Sequence, residues 1–183
     1  MDVGLIDVST LLKTHQHKDL TVFFNLVISQ VIHFDFKFTD VIKNNICANA
    51  ALNGNLEVLK WARQNGCPWN GDVCANAAFN DNLEVLKWAR ENGCPWNEST
   101  CANAPGGGYL EILKWARAHG CPWDEWTCAD AAGGGHLKIL KWAKENDCPW
   151  DENTCTRAAS GGHLELLKWA RENGCPRCPA PKG

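Results

Sequence analysis

Residues His136 to Trp150 read His-Leu-Lys-Ile-Leu-Lys-Trp-Ala-Lys-Glu-Asn-Asp-Cys-Pro-Trp, and residues Asn55 to Trp69 read Asn-Leu-Glu-Val-Leu-Lys-Trp-Ala-Arg-Gln-Asn-Gly-Cys-Pro-Trp. In the first string Leu137, Ile139, Leu140, Trp142 and Ala143 share one broad face at helical spacing, while Lys138, Lys141 and Glu145 occupy the other. Moving outward, Cys47, Cys74, Cys101, Cys128 and Cys155 follow one another at intervals of 27 residues and place five copies in register. A fixed period of this size is the mark of a stacked-repeat architecture.

Each copy resolves into two helical patterns. The second helix ends at Gly66, Gly93, Gly120 or Gly174, where a left-handed cap costs least without a Cβ. The following proline, as in Cys94-Pro95, does not continue a helix. The first helix is shorter: Asp124 or Asp151 is placed to cap it, with Thr127 or Thr154 as the competing choice. Its inner positions are small, as with Cys128, Ala131 and Ala132, which lets two helix backbones approach. Gly134-Gly135 and Gly161-Gly162 turn the chain into the second helix. In the third copy Pro105 and the Gly106-Gly107-Gly108 run predict a short or distorted first helix.

A hairpin of two such helices buries too little apolar surface alone, whereas a stack forms a continuous core. The expected fold is therefore all-α, a helical-hairpin solenoid of five 27-residue repeats at 47–73, 74–100, 101–127, 128–154 and 155–176. Residues 1–46 precede it as an N-terminal cap or divergent segment, and 177–183 follow as a Pro-rich tail. Within the first segment Val22, Leu26, Val27, Gln30 and Val31 have helical spacing, while Phe34, Phe36 and Phe38 alternate as in a strand.

The strings Ala-Ala-Gly-Gly-Gly-His-Leu-Lys-Ile-Leu-Lys from Ala131 to Lys141 and Ala-Ala-Ser-Gly-Gly-His-Leu-Glu-Leu-Leu-Lys from Ala158 to Lys168 resemble the passage joining the two helices of an ankyrin repeat. The resemblance implies that Cys67, Cys94, Cys121, Cys148 and Cys175 stand in for a small buried alanine. The usual ankyrin period is about 33 residues. The shortfall lies between Cys-Pro-Trp and the next Ala-Ala, so the β-hairpin finger is lacking. The Thr-Pro-Leu-His signature is replaced by Thr-Cys-Ala-Asp or Thr-Cys-Thr-Arg. The chain is similar to the short, tryptophan-rich ankyrin-like repeats of giant DNA viruses, algae and other protists.

Over 183 residues the chain has 45% hydrophobic and 21% charged residues, an ordinary globular balance. Its 11 Cys and 10 Trp against 1 Met and 1 Tyr are the residue skew that copying produces. A net charge of −3 supplies no basic field, so nucleic acid is not the expected partner. Asp2 and Asp7 stand where a secretory signal carries basic residues. The stretch from Leu20 to Phe36 is broken by Asn25, Ser29, Gln30, His33 and Asp35, which argues against a membrane span. A monomeric, intracellular, cytoplasmic chain with reduced thiols is expected.

The cysteines invite a zinc reading, but Cys94 to Cys101 and Cys121 to Cys128 are spaced Cys-x6-Cys and not as the tight pairs of structural zinc sites. Buried cysteine acts as a small hydrophobe. The one tight pair, Cys175-Pro-Arg-Cys178, lacks a second pair or a nearby histidine. His136 and His163 share a slot with Asn55, Asn82 and Tyr109, a scatter that fits a helix-start or turn hydrogen bond better than catalysis. No Ser/His/Asp set, phosphate-cradling loop or paired carboxylates are present. No enzyme activity, metal or cofactor is expected.

Lys60, Lys87, Lys114, Lys141 and Lys168 recur with Arg63, Arg90, Arg117, Lys144 and Arg171. Glu57, Glu84, Glu111 and Glu165 precede four of the lysines by three residues, close enough for intrahelical pairs. Between Cys47 and Cys178 stand 13 basic and 16 acidic residues. These rows are expected to form a solvated outer face. Trp61, Trp88, Trp115, Trp142 and Trp169 are expected to pack between layers. Trp69, Trp96, Trp123 and Trp150 follow proline and either close the layers or anchor a partner.

In a scaffold of copies, specificity resides where the copies differ. One slot holds Leu52, Phe79, Gly106, Gly133 and Ser160; another holds Asn49, Asn76, Asn103, Asp130 and Arg157. Asp72, Ser99, Trp126 and Asn153 vary in the connection. The expected function is a non-catalytic protein-protein interaction scaffold. Its partner surface is the first-helix face and the inter-repeat connections, with Phe79, Trp126, Asp130, Arg157, Trp96 and Trp150. The alternatives are a thiol-based metal or redox protein, and a phosphate or nucleic-acid binder using the Lys/Arg rows.

Overall fold

The helical periodicity is realised throughout the part of the chain that the computed structural model describes, residues 45–176. Ten helices are joined by turns: α1 (residues 45–52), α2 (Leu56–Gln64), α3 (Gly71–Phe79), α4 (Leu83–Glu91), α5 (Glu98–Gly107), α6 (Leu110–Ala118), α7 (Glu125–Gly133), α8 (Leu137–Glu145), α9 (Glu152–Ser160) and α10 (Leu164–Glu172). No strand occurs among the described residues. The odd-numbered helices are the first of each repeat and the even-numbered the second. The cap expected in residues 1–46, apart from 45 and 46, and the tail 177–183 with Cys178 lie outside the described residues.

Two kinds of packing build the stack. Odd helices lie directly on one another, α3 on α5, α5 on α7 and α7 on α9, and each even helix from α4 on packs against the odd helix of its own repeat. Small side chains make the first contact possible: Cys74, Ala77, Cys101, Ala104, Cys128 and Ala131 are completely buried. The even helices bury one face, such as Val85, Leu86 and Ala89 in α4 and Ile112, Leu113 and Ala116 in α6. Complete burial of a leucine such as Leu86 contributes roughly 1.5–3 kcal/mol.

Local chemistry sets the helix ends. Asn70, Asp124 and Asp151 are the N-caps of α3, α7 and α9, and their side chains accept from the backbone N–H of Asp72, Trp126 and Asn153 at 3.1, 3.1 and 2.9 Å. Thr127 and Thr154 lie inside the helices instead and are fully buried. At the end of α2, Gly66 adopts φ +74, and the Cys67 N–H donates to the Ala62 carbonyl at 2.9 Å, a Schellman closure. In the fourth repeat Asp147 takes the same left-handed position, φ +61.

The third repeat departs from expectation. Helix α5 has ten residues where α3, α7 and α9 have nine, with Pro105 inside it. Pro105 is fully buried and falls in the last turn, where its missing donor affects one carbonyl and its ring fills the slot that Ala78 and Ala132 hold in neighbouring repeats. Gly108, left-handed at φ +86, ends the helix cleanly.

The residues before the even helices also differ from expectation. Asn55 makes a local cap, accepting from the Val58 N–H at 3.0 Å, but Asn82, His136 and His163 bond across the layer boundary. Asn82 Nδ2 donates to the Ala51 carbonyl at 2.9 Å. His136 Nε2 lies 3.1 Å from the Gly106 carbonyl and His163 Nε2 3.0 Å from the Gly133 carbonyl. This crossing explains a glycine: a Cβ on Gly134 would lie 2.6 Å from the His136 ring and 2.7 Å from the Gly106 carbonyl oxygen. The repeats are thus locked in register by polar bonds as well as by apolar burial.

Candidate functional site

The slots that vary between copies hold the large exposed side chains of the odd helices. Phe79, the last residue of α3, is 56% exposed, and Trp126, the second residue of α7, is 43% exposed. Asp130 lies one turn beyond Trp126, and Arg157 occupies the equivalent slot of the next repeat, 27 residues on. These last three residues meet. Arg157 Nη1 lies 2.5 Å from Asp130 Oδ1, and its guanidinium carbon lies 5.0 Å from the centre of the Trp126 ring.

Burial of Asp130 raises its carboxyl above the usual range, Arg157 opposes the shift and Asp124 adds to it. The slot explains the burial: Asn76 and Asn103, its equivalents, donate to the Ala48 and Ala75 carbonyls one layer back, each at 3.2 Å. Ionised aspartate has no proton to offer there and takes its partner from the layer ahead.

Phe79 does not join this cluster. It sits at the C-terminal end of its helix, whereas Trp126 sits at an N-terminal end two repeats further on. Trp96 and Trp150 are elsewhere again, on the even-helix side and half-buried. Trp96 packs edge-on against Trp115 at 6.0 Å, and Trp150 against Trp169 at 6.0 Å. Trp69 with Trp88 and Trp123 with Trp142 repeat the arrangement at 5.9 Å. The post-proline tryptophan of one repeat therefore closes on the helix tryptophan of the next.

The basic rows divide on inspection of their contacts. Arg63, Arg90 and Arg117 stack over Trp69, Trp96 and Trp123 at 4.1, 4.0 and 4.0 Å, and each donates to a carbonyl, those of Cys67, Cys94 and Cys121. They cap the even helices and clamp the tryptophans, so the expected solvated face is corrected for the arginines. The lysines fit it better. Lys60 pairs with Glu57 and Lys114 with Glu111, each at 3.0 Å, while Lys168 lies 3.9 Å from Glu172.

All ten cysteines of the described residues are buried and free of disulfides. Cys94, Cys121, Cys148 and Cys175 donate from Sγ to the carbonyls of Asn70, Asn97, Asp124 and Asp151 at 3.4–3.6 Å, tying the end of each hairpin to its start. Burial pushes Cys47 up to about 11, and burial with a hydrogen bond to Cys155 pushes Cys175 up to about 12. Cys94 is raised by its hydrogen bond with Cys74 and then by burial, and Cys101 likewise by Cys121 and burial. Protonated thiols are poor nucleophiles and poor metal ligands. No group of three or more His, Cys, Asp or Glu suited to a metal ion occurs among the described residues.

A further buried row was not anticipated. The Thr100 and Thr154 hydroxyls are fully buried without a hydrogen-bond partner among the described residues, in the slot that Val73 fills in α3. Only the layer geometry reveals this, because threonine near a helix start reads as a cap. No helix among the described residues is long and apolar enough to cross a membrane. No family model and no curated protein matches the chain.

Proposed function

We propose that this chain is a non-catalytic interaction scaffold of ankyrin-like repeats, intracellular and without a cofactor, that binds a protein partner through its odd-helix face. One observation carries the reading. The slots of Cys74 and Ala77, which repeat in every odd helix, are buried in the stack, while the slots that vary present Phe79, Trp126 and Arg157 to solvent. Partly exposed tryptophan and arginine are the residue types most often found as interface anchors. A stack locked by Asn82, His136 and His163 holds such anchors in place, which reduces the ordering cost of binding. The ankyrin-like assignment is supported by the helix-turn-helix repeat, its left-handed glycine closures, and connections such as residues 65–70 that carry no strand.

Affinity capture from cell extract, read by mass spectrometry, tests the reading. The wild-type chain and a variant with Phe79, Trp126, Asp130 and Arg157 all changed to alanine are compared, with helicity checked by circular dichroism. Loss of specific partners from the folded variant is the expected result. Identical capture by the two proteins would overturn the assignment of this face.

A further inference from the structure

Basic residues are almost confined to one helix of each pair in this stack. Every lysine and arginine of residues 45–176 except Arg157 lies on an even helix, and Arg157 is neutralised by Asp130. The N-terminal edge of the odd helices carries only acids, one each at α3 and α5, Asp72 and Glu98, and two each at α7 and α9, Asp124 with Glu125 and Asp151 with Glu152. None of these six forms an ion pair among the described residues. Asp124 and Asp151 cap their helices, and one acid per helix start is what the macrodipole accounts for. Glu98, Glu125 and Glu152, all exposed, set a carboxylate at this edge in three successive layers, and at α7 and α9 it is a second acid beyond the one that the helix start accounts for.

Trp126 stands in the middle of that edge. Arg157 covers one part of its ring at 5.0 Å, and 43% of the residue remains open to solvent. An aromatic face beside unpaired carboxylates suits a cation, by ring quadrupole and by charge. Spacing narrows the partner further. Packed helices lie roughly 8–10 Å apart, and a polyproline II segment rises about 3.1 Å per residue with three residues per turn. Residues i, i+3 and i+6 of such a segment share one face and advance about 9 Å per step, matching one layer of the stack. A β-strand turns every third side chain to the opposite face.

We propose that this edge docks an extended, polyproline II-like basic segment with arginine or lysine at every third position, facing Glu98, Glu125 and Glu152 in turn and stacking a cation or proline on Trp126. The proposal rests on the odd-helix face being a binding surface and names the chemistry of its occupant.

The probe is a fluorescein-labelled twelve-residue peptide of four Pro-Pro-Arg units, followed by fluorescence anisotropy at low salt, with a Pro-Pro-Glu peptide as control. Nitrogen-edited spectra report the ten indole signals of the protein. Saturable binding that shifts the Trp126 indole is expected. Affinity should fall about tenfold or more in the Glu98→Gln, Glu125→Gln, Glu152→Gln triple variant and about fivefold in Trp126→Ala, both with unchanged helicity. Equal binding of the acidic peptide, equal affinity in the triple variant, or no binding would overturn the proposal. So would sedimentation showing that a second copy occupies the edge through its lysine row. If the peptide fails while the four-alanine variant still loses its captured partners, only the basic-segment chemistry falls. If both fail, the odd-helix face is not the binding surface.

Discussion

Arg157 reaches back one repeat to Asp130, with Nη1 2.5 Å from Oδ1, across a slot that Asn76 and Asn103 use to bond backbone carbonyls. Opposite charges in equivalent slots of adjacent copies are stacked by the repeat itself.

This pair is half-exposed on the arginine side, so Arg157→Ala should cost no more than about 1 kcal/mol. In Asp130→Asn the amide regains a donor directed at the preceding layer, as in Asn76 and Asn103. Stability should then equal or exceed that of the wild type, and Arg157→Ala should have little further effect. Urea denaturation of the four proteins of this cycle measures the coupling; equal costs of Arg157→Ala in both backgrounds would contradict it.

The tryptophans should divide by role. Trp123→Leu loses the edge contact with Trp142 and the Arg117 stack, with an expected cost of about 2 kcal/mol. Trp126→Ala, on an exposed site, should cost less than about 1 kcal/mol. Chemical denaturation midpoints compared at equal m-value check the contrast.

Thr100 and Thr154 bury hydroxyls in a slot where Val73 is accepted. Thr100→Val removes an unsatisfied polar group without changing shape, and a gain of about 1 kcal/mol is expected. A lower melting temperature in Thr100→Val would show that the hydroxyl has a bonding partner.

Alkaline pH should unfold the stack through its thiols. Cys47 and Cys175 are raised from 9.0 to about 11 and about 12, so the native state holds protons that the unfolded chain releases first. Their stabilising contribution is complete below pH 9 and is lost as pH rises through the folded values. Melting temperature should fall between pH 9 and 11, less steeply in a Cys155→Ala, Cys175→Ala variant. At neutral pH, Ellman's reagent should leave the ten buried thiols unreacted until denaturant is added.

The period, the two helices of each copy and their caps were legible in residues alone, because capping, glycine closure and amphipathic spacing act within a few positions of the chain. Pro105 and the glycines after it point to a shortened or distorted helix, but the cost of a proline depends on how near the helix end it falls, and α5 extends two residues past it. The arginine rows looked like the lysine rows for a similar reason. Both have helical spacing, but Arg63, Arg90 and Arg117 find a tryptophan ring and a carbonyl that lie outside the helix.

By itself the sequence determined an all-helical stack of hairpins with small residues between the first helices, since a strict repeat leaves each hairpin's apolar face to be buried by its neighbours. Tertiary structure alone decided which polar groups lock one layer to the next. His136 bonding Gly106, Asn82 bonding Ala51, and Arg157 joining Asp130 under Trp126 all depend on the offset between packed helices. That offset is set by how side chains interlock across the stack, and no local pattern in the chain carries it.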